Sequence, residues 1–264
     1  MKKTYLLILA ACLLWGPGSR AAAEPLKTIG TATAVSVTDG DTLILDRTVE
    51  GSNEVRLVGI QAPKLPLGRK GFKAWPLAGA AKAELEKLVL GKRLTLSFGG
   101  APMDRHGRLL AHLHDEDGRW VQGELLRLGL ARVYSFPDNR ARVADMLKLE
   151  AEARAQRRGI WALRFYEVRT AETVAGGFNT FQLVEGRVRD TAKVKGTVYL
   201  NFGADWRSDF TISVSSRAAR MFTKAGIDLL QLKGRIVRVR GWLKKRNGPM
   251  IEATHPEQIE ITDG

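Results

Sequence analysis

"TATAVSVTDGDTLIL" (Thr31–Leu45) decides how the first half of the chain is read. Small and β-branched residues alternate with polar ones on both sides of Asp39-Gly40, the pattern of two strands joined by a tight turn. Further on, "EVRLVGI" (Glu54–Ile60) is another β-rich run, so residues 29–63 read as strands. The period then changes. In "AWPLAGAAKAELEKLVLGK" (Ala74–Lys92), Ala81, Leu85, Leu88 and Val89 share one helical stripe, and Gly91 suits the residue after a helix end.

Outward from there, "RLTLSF" (Arg93–Phe98) is a strand, and "GRLLAHLHDEDGRW" (Gly107–Trp120) reads as a hairpin turning at Asp117-Gly118. "VQGELLRLGLARV" (Val121–Val133) predicts a short helix running into an extended piece. "RARVADMLKLEAEARAQRRGIW" (Arg140–Trp161) predicts a long amphipathic helix ending at Gly159. Residues 166–182 lack apolar periodicity, contain Gly176-Gly177, and read as a linker. Beyond it come about five strands, with a helix-like "RAARMFTKAGIDLLQLKG" (Arg217–Gly234) before the fourth. That is the order of a small OB barrel.

Composition bounds the function. "MKKTYLLILAACLLWGPGSRAAAEP" opens with a basic pair, an apolar run and a small-residue cleavage site, so residues 1–23 read as a signal peptide. The apolar run is too short to span a membrane. The expected location is outside the cytoplasm, periplasmic or secreted. "LAAC" leaves lipidation of Cys12 as a minor alternative. Once the leader is gone no cysteine remains, which excludes disulfides, a thiolate nucleophile and a Cys-ligated metal. The whole chain carries +14. Three of its basic residues and no acid sit in the leader, leaving +11 from Glu24 onward. A surplus of that size predicts attraction to nucleic acid or another polyanion.

The chemistry-bearing residues follow in a fixed order: Asp41 in the turn, Arg56 on the next strand, then "DRHGRLLAHL" from Asp104, with Arg108 opening a strand. Arginines can hold the non-bridging oxygens of a phosphodiester through paired hydrogen bonds. A carboxylate can hold a hard metal ion, and a second can activate water. His112 and His114, two apart on a strand, are a further candidate metal pair, although such a pair is more often a half-exposed strand face.

The stretches "VTDGDTLIL", "VRLVGIQAP", "MDRHGRLLAHL", "WVQGELLRLGLARVY" and "RRGIW", in order over about residues 30–162, resemble the staphylococcal nuclease (thermonuclease) family. The resemblance implies an OB barrel with three helices and Ca²⁺-dependent cleavage of DNA and RNA. Carried over, Asp41 matches a calcium-binding aspartate, and Arg56 and Arg108 match the two arginines on the scissile phosphate. Arg105 and His106 fall beside the nucleotide. Gln61 stands where the family has its second calcium-binding aspartate, and Lys64 where it has the general-base glutamate. Asp41, Gln61, Lys64, Arg56 and Arg108 together carry +2 without metal. That charge suits holding a phosphodiester and poorly suits hydrolysing one; Asp39 is a substitute carboxylate.

Residues 181–264 hold 15 Lys+Arg against 9 Asp+Glu. Tyr199, Phe202, Trp206, Phe210 and Trp242 interleave there with Arg207, Arg238, Arg240 and the run Lys244–Arg246. Trp206, Arg240, Trp242 and Lys244 are therefore candidates for stacking on and steering a nucleic acid, with some of the aromatics expected in the core. The expected fold class is mainly β with helices (α+β), a nuclease-like OB barrel over 29–165 and a second OB-like barrel over 183–262. The expected function is nucleic-acid binding with doubtful hydrolysis. An active secreted phosphodiesterase with modified metal use and an envelope partner-binding module are the alternatives.

Overall fold

The computed structural model describes residues 26–262, and the leader expected at residues 1–23, Cys12 included, lies outside them. Over the described residues the chain is mainly β with four α-helices. The first unit is a closed barrel of five strands in the order β1-β2-β3-β6-β5. These are β1 (Lys27–Asp39), β2 (Thr42–Val49), β3 (Ser52–Leu57), β5 (Arg93–Phe98) and β6 (Leu109–His114); the two-residue β4 (Ile60–Gln61) lies outside the ring. β1 is long enough to pair with β2 at one end and β5 at the other, and β3 closes the ring by running parallel to β6.

The turn read from Asp39-Gly40 joins β1 to β2, with Asp39 paired to Thr42. Gly40 is required for space rather than for a left-handed backbone. A Cβ there would lie 2.7 Å from Ala62 Cβ and 2.8 Å from Ala81 Cβ. Helix α1 (Ala78–Val89) therefore packs directly on the turn that carries Asp39 and Asp41, with Ala81, Leu85, Leu88 and Val89 buried as the stripe predicts. Gly40→Ala is expected to cost about 1–3 kcal/mol by overpacking, measured as a shift in the urea midpoint.

Helices α2 (Val121–Arg127) and α3 (Val143–Ala155), with the two-residue β7 (Arg132–Val133) pairing β4, complete the first unit. Two boundaries differ from the expectation. The return strand of the hairpin shrinks to one bridge, His114 to Trp120, because Val121 already begins α2. α3 stops at Ala155, not Gly159. Arg157 turns left-handed, and Gly159 is needed where the backbone meets Gly129, whose carbonyl oxygen would be 2.2 Å from a Cβ.

The second unit is one sheet in the order β10-β11-β12-β14-β13-β9-β8, with β15 on β13. Its elements are β8 (Arg169–Thr170), β9 (Thr180–Arg187), β10 (Asp190–Val194), β11 (Thr197–Asn201), β12 (Thr211–Val214), α4 (Ser216–Lys224), β13 (Ile236–Lys245), β14 (Pro249–Glu252) and β15 (Ile259–Ile261). β9 and β10 are one run bent at Val188-Arg189. Val188 N donates to Arg235 O on one side, and Arg189 N donates to Asn201 O on the other. Part of the segment read as a linker is sheet: β8 runs parallel to β9. Each unit has its own core, and a third cluster, including Ala153, Ile160, Trp161, Tyr166, Phe181 and Leu183, joins them.

The join also contains buried charge. Glu150 on α3 and Arg240 on β13 are both fully buried. Glu150 accepts from Arg240 at 2.9 and 3.0 Å, from Arg154 at 2.9 Å and from Val133 N at 2.6 Å. Arg240 also pairs with Glu260. Around this centre, Arg140 bonds Glu257, Ser135 Oγ sits 2.8 Å from His255 Nε2, and Trp242 Nε1 donates to Tyr134 OH at 3.1 Å. Among the described residues no helix is long and apolar enough to cross a membrane.

Candidate nucleic-acid interface

The parallel pairing of β3 with β6 sets Arg56 opposite Leu110, so the turn before β6 brings Arg108 to the same end of the barrel. A cleft of about 570 Å³ opens there. Arg56, Asp104, Arg105, His106 and Arg108 line it together with Tyr134, Phe136 and Trp242. The first seven come from the barrel unit; Trp242 comes from β13 of the second. Phe136 is 48% exposed and Trp242 46%, while Tyr134 meets Phe136 edge-on at 4.9 Å.

Arg56 is held rather than free. Its NH1 donates to Leu57 O at 2.7 Å, its NH2 to Ile60 O at 2.7 Å, and NH2 lies 3.2 Å from Asp41 Oδ2. It is a fixed charge at the cleft floor. Arg108 turns back on Asp104, donating Nε at 2.8 Å and NH2 at 2.6 Å to Oδ2. The other oxygen of Asp104 accepts from the backbone of His106 and Arg108, which closes the turn. Burial pushes the Asp104 carboxyl up, and the bonds from Arg108 and His106 more than reverse that, leaving it below its usual range. Arg105 and His106 are exposed on the rim and bond each other at 3.1 Å.

The +2 counted from sequence does not survive folding. Asp39 lies 3.2 Å from Lys64, and Asp104 sits on Arg108; these two further carboxylates bring the cluster to neutrality. Asp41 is fully buried: burial pushes its carboxyl up, and Arg56 and Lys64 pull it net down, so it stays ionised. Gln61 also has a structural partner. Its Oε1 accepts from Arg132 Nε at 3.0 Å and NH2 at 2.7 Å, and Arg132 continues to Phe181 O in the second unit.

These residues do not fit a calcium ion. Ca²⁺ takes six to eight oxygens, several of them carboxylate. Here two carboxylates face an ammonium, and the neutral Gln61 oxygen is committed to a guanidinium. Among the described residues no group of three or more His, Cys, Asp or Glu could hold a metal. His112 and His114 form no such site either. His112 is buried against Trp120 at 5.8 Å, and burial first, then Arg142 and His114, holds its ring to a pKa of about 3.

The C-terminal candidates divide. Arg240, expected to meet nucleic acid, is corrected: it lies 1% exposed in the join, because α3 covers the strand face that alternation left open. Phe202 and Phe210 are core. Trp206 is exposed under Arg207 on a loop outside the cleft, and Lys244 is exposed beside Glu252. Of the four, only Trp242 lines the cleft. The pairing of Asp104 with Arg108 was not foreseen, and Tyr134 and Phe136 were missed, although "ARVYSF" (Ala131–Phe136) signals them, two apart in an extended piece and so sharing a face.

Residues 54–163 match the family described as staphylococcal nuclease homologue. The chain is 29% identical over 131 residues to a thermonuclease of Staphylococcus intermedius, covering 47% of this chain and 72% of that protein. It is 33% identical over 129 residues to an uncharacterized endonuclease of Escherichia coli, covering 48% and 74%. A 38.1 kDa uncharacterized protein of Capnoides sempervirens is 36% identical over 108 residues, but the chain spans only 28% of its length.

Proposed function

Because the chain belongs to the staphylococcal nuclease homologue family, we propose that it is an exported protein that binds nucleic acid in the cleft between its two units and does not hydrolyse it. The family is one of nucleic-acid-binding and nuclease proteins. The observation that carries the proposal is the single cleft in which Arg56, Arg105, His106 and Arg108 meet Tyr134, Phe136 and Trp242. The cleft offers groups for both phosphate and base. Guanidinium groups supply the charge-assisted bonds that an anionic diester needs, and exposed rings give bases a surface to stack on, worth roughly 1–3 kcal/mol per base. Binding without turnover follows from the two departures. With Gln61 on Arg132 and Lys64 on Asp41, no side chain at those positions is available to seat an ion or deprotonate water. The signal-peptide pattern read at residues 1–23 supports export, periplasmic or secreted.

A phosphate entering the cleft competes with Asp104 for Arg108. Asp104→Asn keeps the carbonyl that closes the turn and releases the guanidinium, so it is expected to tighten binding severalfold. Arg108→Ala is expected to weaken it at least tenfold, about 1.4 kcal/mol or more. Fluorescence anisotropy of labelled single-stranded and duplex oligonucleotides across a salt series checks both, and the affinity should fall steeply with salt. Plasmid incubated with the protein in Ca²⁺, Mg²⁺, Mn²⁺ or EDTA should remain intact. Metal-dependent cutting that Arg56→Ala and Arg108→Ala abolish would overturn the binder in favour of a phosphodiesterase.

A further inference from the structure

The Lys64 ammonium does more than fill a lost catalytic position. Its three N–H donors face three oxygens: Asp41 Oδ2 at 2.6 Å, Asp41 Oδ1 at 2.7 Å and Asp39 Oδ2 at 3.2 Å. The chain around it is tied to the same carboxylates. Ala62 N donates to Asp41 Oδ2 at 2.8 Å, Leu65 N to Asp39 Oδ1 at 3.4 Å, and Trp75 N fixes the Lys64 carbonyl at 2.9 Å. The side chain is 19% exposed and Asp41 is not exposed at all.

A buried carboxylate is retained only when its charge is compensated. Arg56 compensates one of the two acids and Lys64 the other, so Asp39, Asp41, Arg56 and Lys64 sum to zero. A divalent ion added to this set would leave +2 uncompensated at a site with no exposure on Asp41. The same ion with Lys64 removed would leave only the +1 of Arg56. Ammonium and metal are therefore alternatives for one position.

We propose that Lys64 is a tethered cation that occupies the place of a divalent ion between Asp39 and Asp41, excluding metal and making the cleft's ligand binding independent of free Ca²⁺ and of chelators. The chelator clause rests on the nucleic-acid reading above, whereas the metal exclusion does not. Removing the charge should uncover a weak divalent site built from the two aspartates and water.

Calorimetric titration with CaCl2 and MnCl2 tests this without any ligand. The unmodified protein is expected to show no specific uptake and the same melting temperature in Ca²⁺ as in EDTA. Lys64→Ala and Lys64→Gln, each checked for native circular dichroism, are expected to gain Mn²⁺ and Ca²⁺ binding at least tenfold above the unmodified protein. Lys64→Arg should stay metal-free, and Asp41→Asn on Lys64→Ala should abolish the gain. Metal binding or melting stabilisation of the unmodified protein at Asp41 would overturn the proposal even if neither neutral variant folds, and so would folded neutral variants that take up no metal. Oligonucleotide binding in EDTA separates the two readings. No binding with or without EDTA, metal exclusion being intact, sinks the nucleic-acid ligand alone, whereas binding that EDTA abolishes overturns the chelator clause.

Discussion

Replacing Arg240 with alanine is expected to lower the unfolding free energy by about 3–5 kcal/mol, because it strands a buried carboxylate. Glu150 is fully buried and spreads its acceptors over Arg240, Arg154 and Val133 N; without Arg240 one guanidinium remains for its charge. Burial pushes the Glu150 carboxyl up, and Arg240 leads the groups that bring it net below its usual range, so the variant should carry a group that resists ionising. Urea denaturation monitored by tryptophan fluorescence gives the loss. The same curve should separate into two transitions, since the pair spans α3 and β13. Arg105→Ala, on the exposed rim, is the control and should stay within about 0.5 kcal/mol. Equal behaviour of the two variants would show that the join does not depend on its charges.

Acid should destabilise the protein well above the carboxylate range. His112 and His255 are buried, and burial leads the causes that hold their pKa values at about 3 and about 4, below the usual 6.5. The folded protein therefore binds fewer protons than the unfolded chain between those limits, and stability falls as pH drops below about 6.5. Each histidine contributes up to about 1.4 kcal/mol per pH unit over its window. The lowered carboxyls of Asp41 and Glu150 act further down. Their contribution is present above the unfolded values of 3.8 and 4.5 and is lost as pH falls below them. Urea midpoints taken between about pH 7 and pH 5 should slope steeply, and His112→Gln with His255→Gln should flatten that slope. A flat profile in the unmodified protein would mean that these rings are protonated in the fold.

The barrel and its cleft were legible where the signal is local. Alternation around Asp39-Gly40 and the Ala81–Val89 stripe need only neighbouring residues, and the structure keeps both; of Asp41, Arg56 and Arg108, the two arginines line the cleft and Asp41 is buried behind them. What was illegible depends on distant partners. Gln61 meets Arg132 across 71 residues, and Arg240 meets Glu150 across 90. The "VRVRG" alternation (Val237–Gly241) reads as solvent-facing cations because nothing in that strand announces that another unit will cover them. The charge count failed for a related reason: it tallied positions matched to a family and left out Asp39 and Asp104, which the folded turns set against Lys64 and Arg108.

The chain is consequently not two beads on a string. A stop codon placed after residue 163, where the family match ends, would strip β13 from α3 and deprive Glu150 of its main counter-charge. It would also bare Ile160 and Trp161. The stump would be an acid-bearing, sticky remnant rather than a smaller working relative, so deletions in this chain should be drawn through surface turns such as that at Gly118 and never through the seam.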